Sequence, residues 1–240
     1  MILKGRPMPE GYVQKQKRSD RERAGDEIYE KIYLSILEHR LLPGTKLAEE
    51  RMAQIFKVSR ARVREVLARL AHEQIVEILP KRGAYVAKPT VEDARGIFEA
   101  RRVIEPAIML RLAKSADDRK TAILKRHLEL EVDARERNDK RTIIRLSGEF
   151  HNLTAELAGN VSLTRSVREL ATLTCLIILL YDAPLTLSCR ADEHSRIVDA
   201  IVMRDGETAA ILMLEHLQHI ENSVNLQGAV EEVDLESIFG

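Results

Sequence analysis

The chain has 240 residues, room for two small domains or one large one, with 45% hydrophobic, 32% charged and 4% aromatic residues and no Trp. Leu, Ala, Arg and Glu are plentiful and Gly and Pro sparse, which suits a mostly helical protein. Formal net charge is zero, yet the first 90 residues carry 19 Lys and Arg against 12 Asp and Glu and the remaining 150 carry 19 against 26, so a nucleic-acid partner for the basic front is not excluded. A membrane span is excluded, because the longest apolar run, Cys175 to Tyr181 ("CLIILLY"), is far short of about 20 residues. Cys175 and Cys189 show no C-x-x-C spacing and no apolar leader precedes them, so a reduced, cytoplasmic setting is expected.

Residues 1–22 are polar, basic and aperiodic and are expected to form a flexible segment. Ile28, Ile32, Ile36 and Leu37 make a helical stripe over 26–39 that stops at the turn signal Pro43-Gly44. A short helix over 48–56, the tight turn "KVS" and a third helix from the N-cap Ser59 to about residue 73 follow. Two short β-rich runs, 75–79 and 84–87, flank "PKRG" and read as a hairpin.

The third helix, "SRARVREVLARL", sets Val63, Val66, Leu67 and Leu70 within about 100° of one another, as a core stripe. Its other side carries Arg62, Arg64 and Glu65 beside Ala61 and Ala68, with Arg60 at the border. Small alanines permit close approach to a major groove, and arginine forks onto guanine O6/N7 or onto phosphate. Helix, turn, helix and a hairpin with the basic tip Lys81-Arg82-Gly83 make a winged helix-turn-helix, whose tip reaches the backbone or minor groove.

After a linker at 89–91 the pattern is helical throughout: about 92–115, 117–137, 139–158, 162–182, 190–204 and 206–225, with breaks at Gly159-Asn160, Pro184 and Asp205-Gly206. The domain reading is a winged helix at 23–88, an all-helical bundle at 92–227 and an acidic tail at 228–240. The fold class is mainly α, with the small β-hairpin wing.

Residues 29–87 resemble the N-terminal domain of GntR-family bacterial transcription regulators, through "LLPG-x-x-L-x-E", "VSR-x-x-VRE-x-L-x-x-L" and "P-x-RG-x-x-V". The resemblance implies operator contacts by Arg60 and Arg64, phosphate contact by Ser59, and wing contacts by Lys81, Arg82 and Gly83; Arg62, on the same outward side of the helix, is expected to join the DNA-binding set. Gln74 stands where the family usually has Gly, and Met52 where it has Leu.

The back half, through "FEARRVIEPAIMLRLAK" and the segments holding His151, His194 and His216, resembles the FCD (FadR C-terminal domain) effector domain. In that group three His and an Asp or Asn bind a divalent metal, which a carboxylate ligand completes. The resemblance therefore assigns His151, His194 and His216 to a site suited to Zn²⁺ or Ni²⁺. The acidic position, one turn before His151, holds Ser147, a poor metal ligand, and Glu149 faces about 160° away from His151. Three readings stay open: metal on three His and water, a metal-free pocket for an organic anion, or core histidines. Arg101 matches a position that points into the effector cavity, with Glu105 as its partner in the empty state; the alternative is an exposed i,i+4 pair. His219, His39, His72 and His127 are expected to be structural or ordinary packing residues.

The combined expectation is a homodimeric regulator, not an enzyme. It binds a near-palindromic operator, acts as a repressor, and responds to a small organic acid. The alternatives are a DNA-binding protein without effector and a metal-dependent enzyme with a docking module.

Overall fold

A computed structural model describes residues 20–181 and 192–226. The break expected at Pro184, the start of the helix expected at 190, Cys189, the acidic tail and residues 1–19 of the flexible segment lie outside the described residues.

Helix α1 (Asp20–Leu37) buries Ile28, Ile32, Tyr33, Ile36 and Leu37 along one stripe. It begins well before residue 26, inside the segment expected to be flexible; those first turns are polar, so apolar periodicity does not register them. His39, in the left-handed region, follows its end. Strand β1 (Lys46–Leu47) leads into α2 (Glu49–Phe56), which stops at left-handed Lys57, and then α3 (Arg60–His72). The Ser59 Oγ accepts the Arg62 backbone N–H at 3.3 Å, the expected cap.

Past α3, Gln74 takes φ +56°. A left-handed position explains the glycine usual there, and Gln adopts it here at a steric cost. Strands β2 (Val76–Leu79) and β3 (Gly83–Val86) form the expected hairpin. Strand β1 adds to the other edge of β3, giving a three-stranded antiparallel sheet in the order β1-β3-β2. Two residues are too few to show a strand period, so β1 was not legible.

Helix α4 (Val91–Lys114) opens on a reciprocal capping box between Thr90 and Asp93. Helices α5 (Asp118–Glu136), α6 (Lys140–Leu157), α7 (Val161–Leu180), α8 (Glu193–Val202) and α9 (Gly206–Ser223) complete the bundle. Asp117, Asp139, Asn160 and Asp205 cap α5, α6, α7 and α9 through their side chains. Helix α9 runs antiparallel to α4: Arg102 pairs with Glu221 at one end, and Gly206 meets Leu110 at the other. A Cβ on Gly206 would lie 3.2 Å from Leu110 Cα, so glycine permits that approach. Among the described residues no helix is long and apolar enough to cross a membrane.

The apolar core has two parts. One fills the bundle around Met109, Leu112, Phe150, Ile197 and Met213. The other is continuous from the winged helix into the bundle, joining Leu37, Leu67 and Val86 to Phe98, Leu176 and Ile220. Polar contacts reinforce this junction. Asn152 Nδ2 donates to the Tyr33 hydroxyl at 2.9 Å, His39 Nε2 donates to the Cys175 carbonyl at 3.1 Å, and the Tyr181 hydroxyl donates to the Pro89 carbonyl at 3.0 Å. Arg168 stacks 4.2 Å from the Tyr33 ring centroid and pairs with Glu30 at 3.0 Å.

Candidate functional sites

Helix α3 presents the first site. Val63, Val66, Leu67 and Leu70 are buried, so the opposite face, with Arg60, Ala61, Arg64, Glu65 and Ala68, is left exposed. The arginines divide between the two edges of that face. On one edge Arg62 is only 16% exposed; it lies against Gly25 of α1 and pairs with Glu65 at 2.6 Å. Arg69 continues that edge, 3.8 Å above the Tyr29 ring and 3.0 Å from Asp26. On the other edge Arg64, 64% exposed, meets the Glu49 carboxylate at the start of α2 in a two-bond fork: Nε to Oε1 at 3.0 Å and Nη2 to Oε2 at 2.7 Å. Arg60 shares the Glu49 edge. Ser59 is exposed beside them.

At the wing tip Lys81, Arg82 and Gly83 are all exposed, with φ +61° at Lys81 and +100° at Gly83. The Gly83 value belongs to a conformation that side chains rarely tolerate. Tyr85 braces the tip by donating its hydroxyl to the Arg82 carbonyl at 3.1 Å.

The second site is inside the bundle. His151 on α6, His194 on α8 and His216 on α9 are at most 2% exposed and converge on one point. His216 Nε2 lies 3.3 Å from His194 Nε2 and 3.4 Å from His151 Nε2. Each ring is oriented through its other nitrogen by a glutamate: His151 Nδ1 donates to Glu105 at 2.6 Å, His194 Nδ1 to Glu131 at 2.8 Å, and His216 Nδ1 to Glu193 at 2.8 Å. With the protons on Nδ1, three Nε2 lone pairs face one another.

This arrangement fits a cation. Nitrogens bound to Zn²⁺ at ~2.0–2.1 Å in tetrahedral geometry stand about 3.3–3.4 Å apart, the spacing of His216 from each of the other two rings, and all three ligand atoms lie within 4.8 Å of one another. Carboxylate-oriented imidazoles are also the usual support of metal-bound histidine. Burial pushes the His151 imidazole down to about 4, against the opposing pull of Glu105, and burial likewise pushes His216 down to about 3, so both favour the neutral, metal-binding form. Phe150 stacks on His194 with centroids 3.9 Å apart.

Arg101 is 1% exposed, as is Glu105, and its Nε donates to Glu105 at 2.5 Å while Nη1 donates to Thr174 at 3.0 Å. Among the described residues its Nη2 is buried without a hydrogen-bond partner. Burial opposes ionisation of Glu105, but Arg101 and His151 more than offset it and hold the carboxyl below the usual range. A cavity of about 40 Å³ lies among Arg101, Ser147, His151, Thr174, Cys175 and Ile220. It suits a carboxylate-sized group and is well below the roughly 300–1,000 Å³ of larger ligand pockets. Ser147 and Arg101 thus meet at one cavity that also touches His151, whereas Glu149 pairs with Arg145 at 2.8 Å.

Sequence reasoning missed Glu131 and Glu193, and gave Glu105 to Arg101 alone. The one local signal was His127–Glu131 at i,i+4: His127 Nε2 lies 3.2 Å from Glu131 and donates to the Leu146 carbonyl at 3.0 Å. His219 shares Glu193 with His216, at 2.8 Å.

Residues 24–86 match the family model "Bacterial regulatory proteins, gntR family", and residues 96–219 match the FCD domain, over half of the chain by itself. The chain belongs to the GntR family, in its FCD group. It is a DNA-binding transcription regulator rather than an enzyme. The HTH-type transcriptional repressor RspR of Escherichia coli (strain K12) is 29% identical over 199 residues, covering 82% of this chain and 87% of RspR. The HTH-type transcriptional repressor NanR of Salmonella arizonae is 26% identical, covering 89% of each chain. Two solved structures share the fold: E. coli McbR/YncC, with a TM-score of 0.72 at 19% identity over 81% of this chain and 93% of that one, and a GntR protein from Rhodococcus sp. RHA1, with 0.73 at 22% over 86% and 99%.

Proposed function

We propose that this GntR regulator is a homodimeric repressor whose grip on a near-palindromic operator is set by a small organic acid bound at a divalent metal in the bundle. His151, His194 and His216 hold the metal, Zn²⁺ or Ni²⁺, and the metal supplies a Lewis-acidic seat for an anion. Arg101 Nη2 orients the acid from the other side of the cavity, and Ser147, which lacks charge, leaves that side to the ligand. The observation that carries this reading is the convergence of three lone pairs with each ring fixed by a glutamate. An anion placed directly against three lone pairs would be repelled, which favours the metal-containing reading over a metal-free pocket.

In this proposal DNA is held by Arg60 and Arg64 on α3, by Ser59 at its N-terminus, and by Lys81, Arg82 and Gly83 in the wing, with Arg62 bracing the α1 edge. The acid acts on DNA affinity because α6 and α7 each join the cavity to α1 and the residues just after it. His151, Thr174 and Cys175 line the cavity, while Asn152 bonds to Tyr33 of α1 and the Cys175 backbone carbonyl accepts from His39, just past the end of that helix. A ligand that favours one setting of these helices favours one pose of α1 and of the head built on it. An apolar strip of exposed Val103 and Leu110 on α4 and Ile211 and Leu214 on α9 supports self-association.

The test is operator affinity, on a duplex selected from a random pool, with Zn²⁺ and a panel of small carboxylates. At least one acid should weaken binding tenfold or more in the parent and leave the His216→Ala protein unaffected. No response to any acid in the parent contradicts the proposal.

A further inference from the structure

The Glu49 carboxylate sits at the edge of the exposed α3 face, across from Glu65, which pairs with Arg62 on the other edge, and an exposed ion pair contributes little to folding. Its geometry supplies another role. Glu49 takes Nε–H and one Nη2–H of Arg64, the side edge of the guanidinium. Of the five N–H groups, the two on Nη1 and the second on Nη2 remain; one Nη1–H and that Nη2–H form the end edge that forks onto guanine O6 and N7. The carboxylate therefore leaves the base-reading edge open, fixes the plane of a long side chain, and takes up one of the two edges with which Arg64 can clasp a phosphate. Glu49 is anchored by the first turn of α2, on a different helix from Arg64, so the fork ties the two helices of the motif at the DNA face.

We propose that Glu49 is a positioning residue for base recognition: it holds Arg64 so that the guanidinium's end edge is aimed at a guanine in each half-site. The inference rests on the assignment of α3 as the DNA-reading helix. A plain alternative is that Glu49 only complements the positive N-terminus of α2, a role that its exposed neighbour Glu50 shares without touching Arg64.

Full-length parent, Arg64→Ala, Glu49→Gln and Glu50→Gln proteins are each used to select duplexes from a random pool. Affinities for the selected duplex, for every single-base change in it and for random duplex are then measured at one salt concentration. Arg64→Ala should abolish preference for guanine at one symmetric position, which identifies the base that it reads. Glu49→Gln should cut the preference at that same position about tenfold, the usual worth of a well-made fork, while binding to random duplex tightens severalfold. Glu50→Gln should leave the preference intact. Melting temperatures matching the parent's establish that the variants are folded. Undiminished guanine preference in Glu49→Gln, or an equal loss in Glu50→Gln, overturns the role of Glu49 while leaving α3 as the reading helix. Unchanged preference in Arg64→Ala overturns both.

Discussion

Two Arg–Glu pairs, Arg64–Glu49 and Arg101–Glu105, use the same chemistry in opposite settings. The first joins two helices at the surface, in water; the second lies within one helix, with both side chains 1% exposed. Water screens the surface pair, so it contributes little to stability and Arg64 is at liberty to engage DNA. Burial commits the inner pair: neither charge is tolerable without the other, and the one unmatched donor, Arg101 Nη2, is costly until an acceptor meets it. The difference teaches that the head reads a large, permanent polyanion through exchangeable contacts, whereas the bundle holds a fixed cost that a small anion would relieve.

The largest effect should come from breaking the inner pair. Glu105→Ala leaves Arg101 buried and His151 unheld, and should destabilise the protein by about 3–5 kcal/mol in urea unfolding, as for other broken buried pairs. A loss below about 1 kcal/mol would mean that water reaches Arg101. Next in size, Arg64→Ala should weaken operator binding by on the order of 10–100-fold with no change in melting temperature, since the pair it breaks is exposed. An operator affinity equal to the parent's would remove Arg64 from the reading face.

Acid should separate the two regions further. In metal-stripped protein His151 and His216 have folded values of about 4 and about 3, below the ordinary 6.5, so the unfolded chain takes up their protons first. Their contribution is whole above pH 6.5 and is lost as pH falls from there toward 3. The depressed Glu105 adds to that loss at the acid end. Unfolding monitored across pH 7 to 4 should show falling stability, less steeply in His216→Ala; a flat profile would contradict buried neutral imidazoles. The smallest effect is at the junction. Tyr33→Phe removes the acceptor of Asn152 and should cost about 1 kcal/mol. It should also shrink the ligand-induced change in DNA affinity, measured as the ratio of operator affinities with and without the acid.

The winged helix was legible because its signals are local: the Ser59 cap, the Pro43-Gly44 turn, the stripe Val63–Leu70 and the basic tip all lie within a few residues of what they specify. The polar start of α1 and the two-residue β1 carry no period, so they were not. In the bundle the three histidines came only with the family resemblance. Their glutamates lie 46, 63 and 23 residues away in a Glu-rich chain, and apart from the i,i+4 pairing of Glu131 with His127 no local pattern distinguishes them from surface charge. Only the family resemblance set Arg101–Glu105 apart from an exposed i,i+4 pair, because burial is set by α7 packing over it, through Thr174. The shared core between head and bundle was invisible for the same reason: Leu37, Val86 and Leu176 are ordinary apolar residues until tertiary packing unites them.

The most direct measurement is the metal content of untagged protein purified without chelator, for the parent and for His216→Ala. The account predicts close to one Zn or Ni per chain in the parent and close to none in the variant. A parent that stays metal-free after dialysis against Zn²⁺ would contradict it, and the three histidines would then be packing residues around an organic pocket or none.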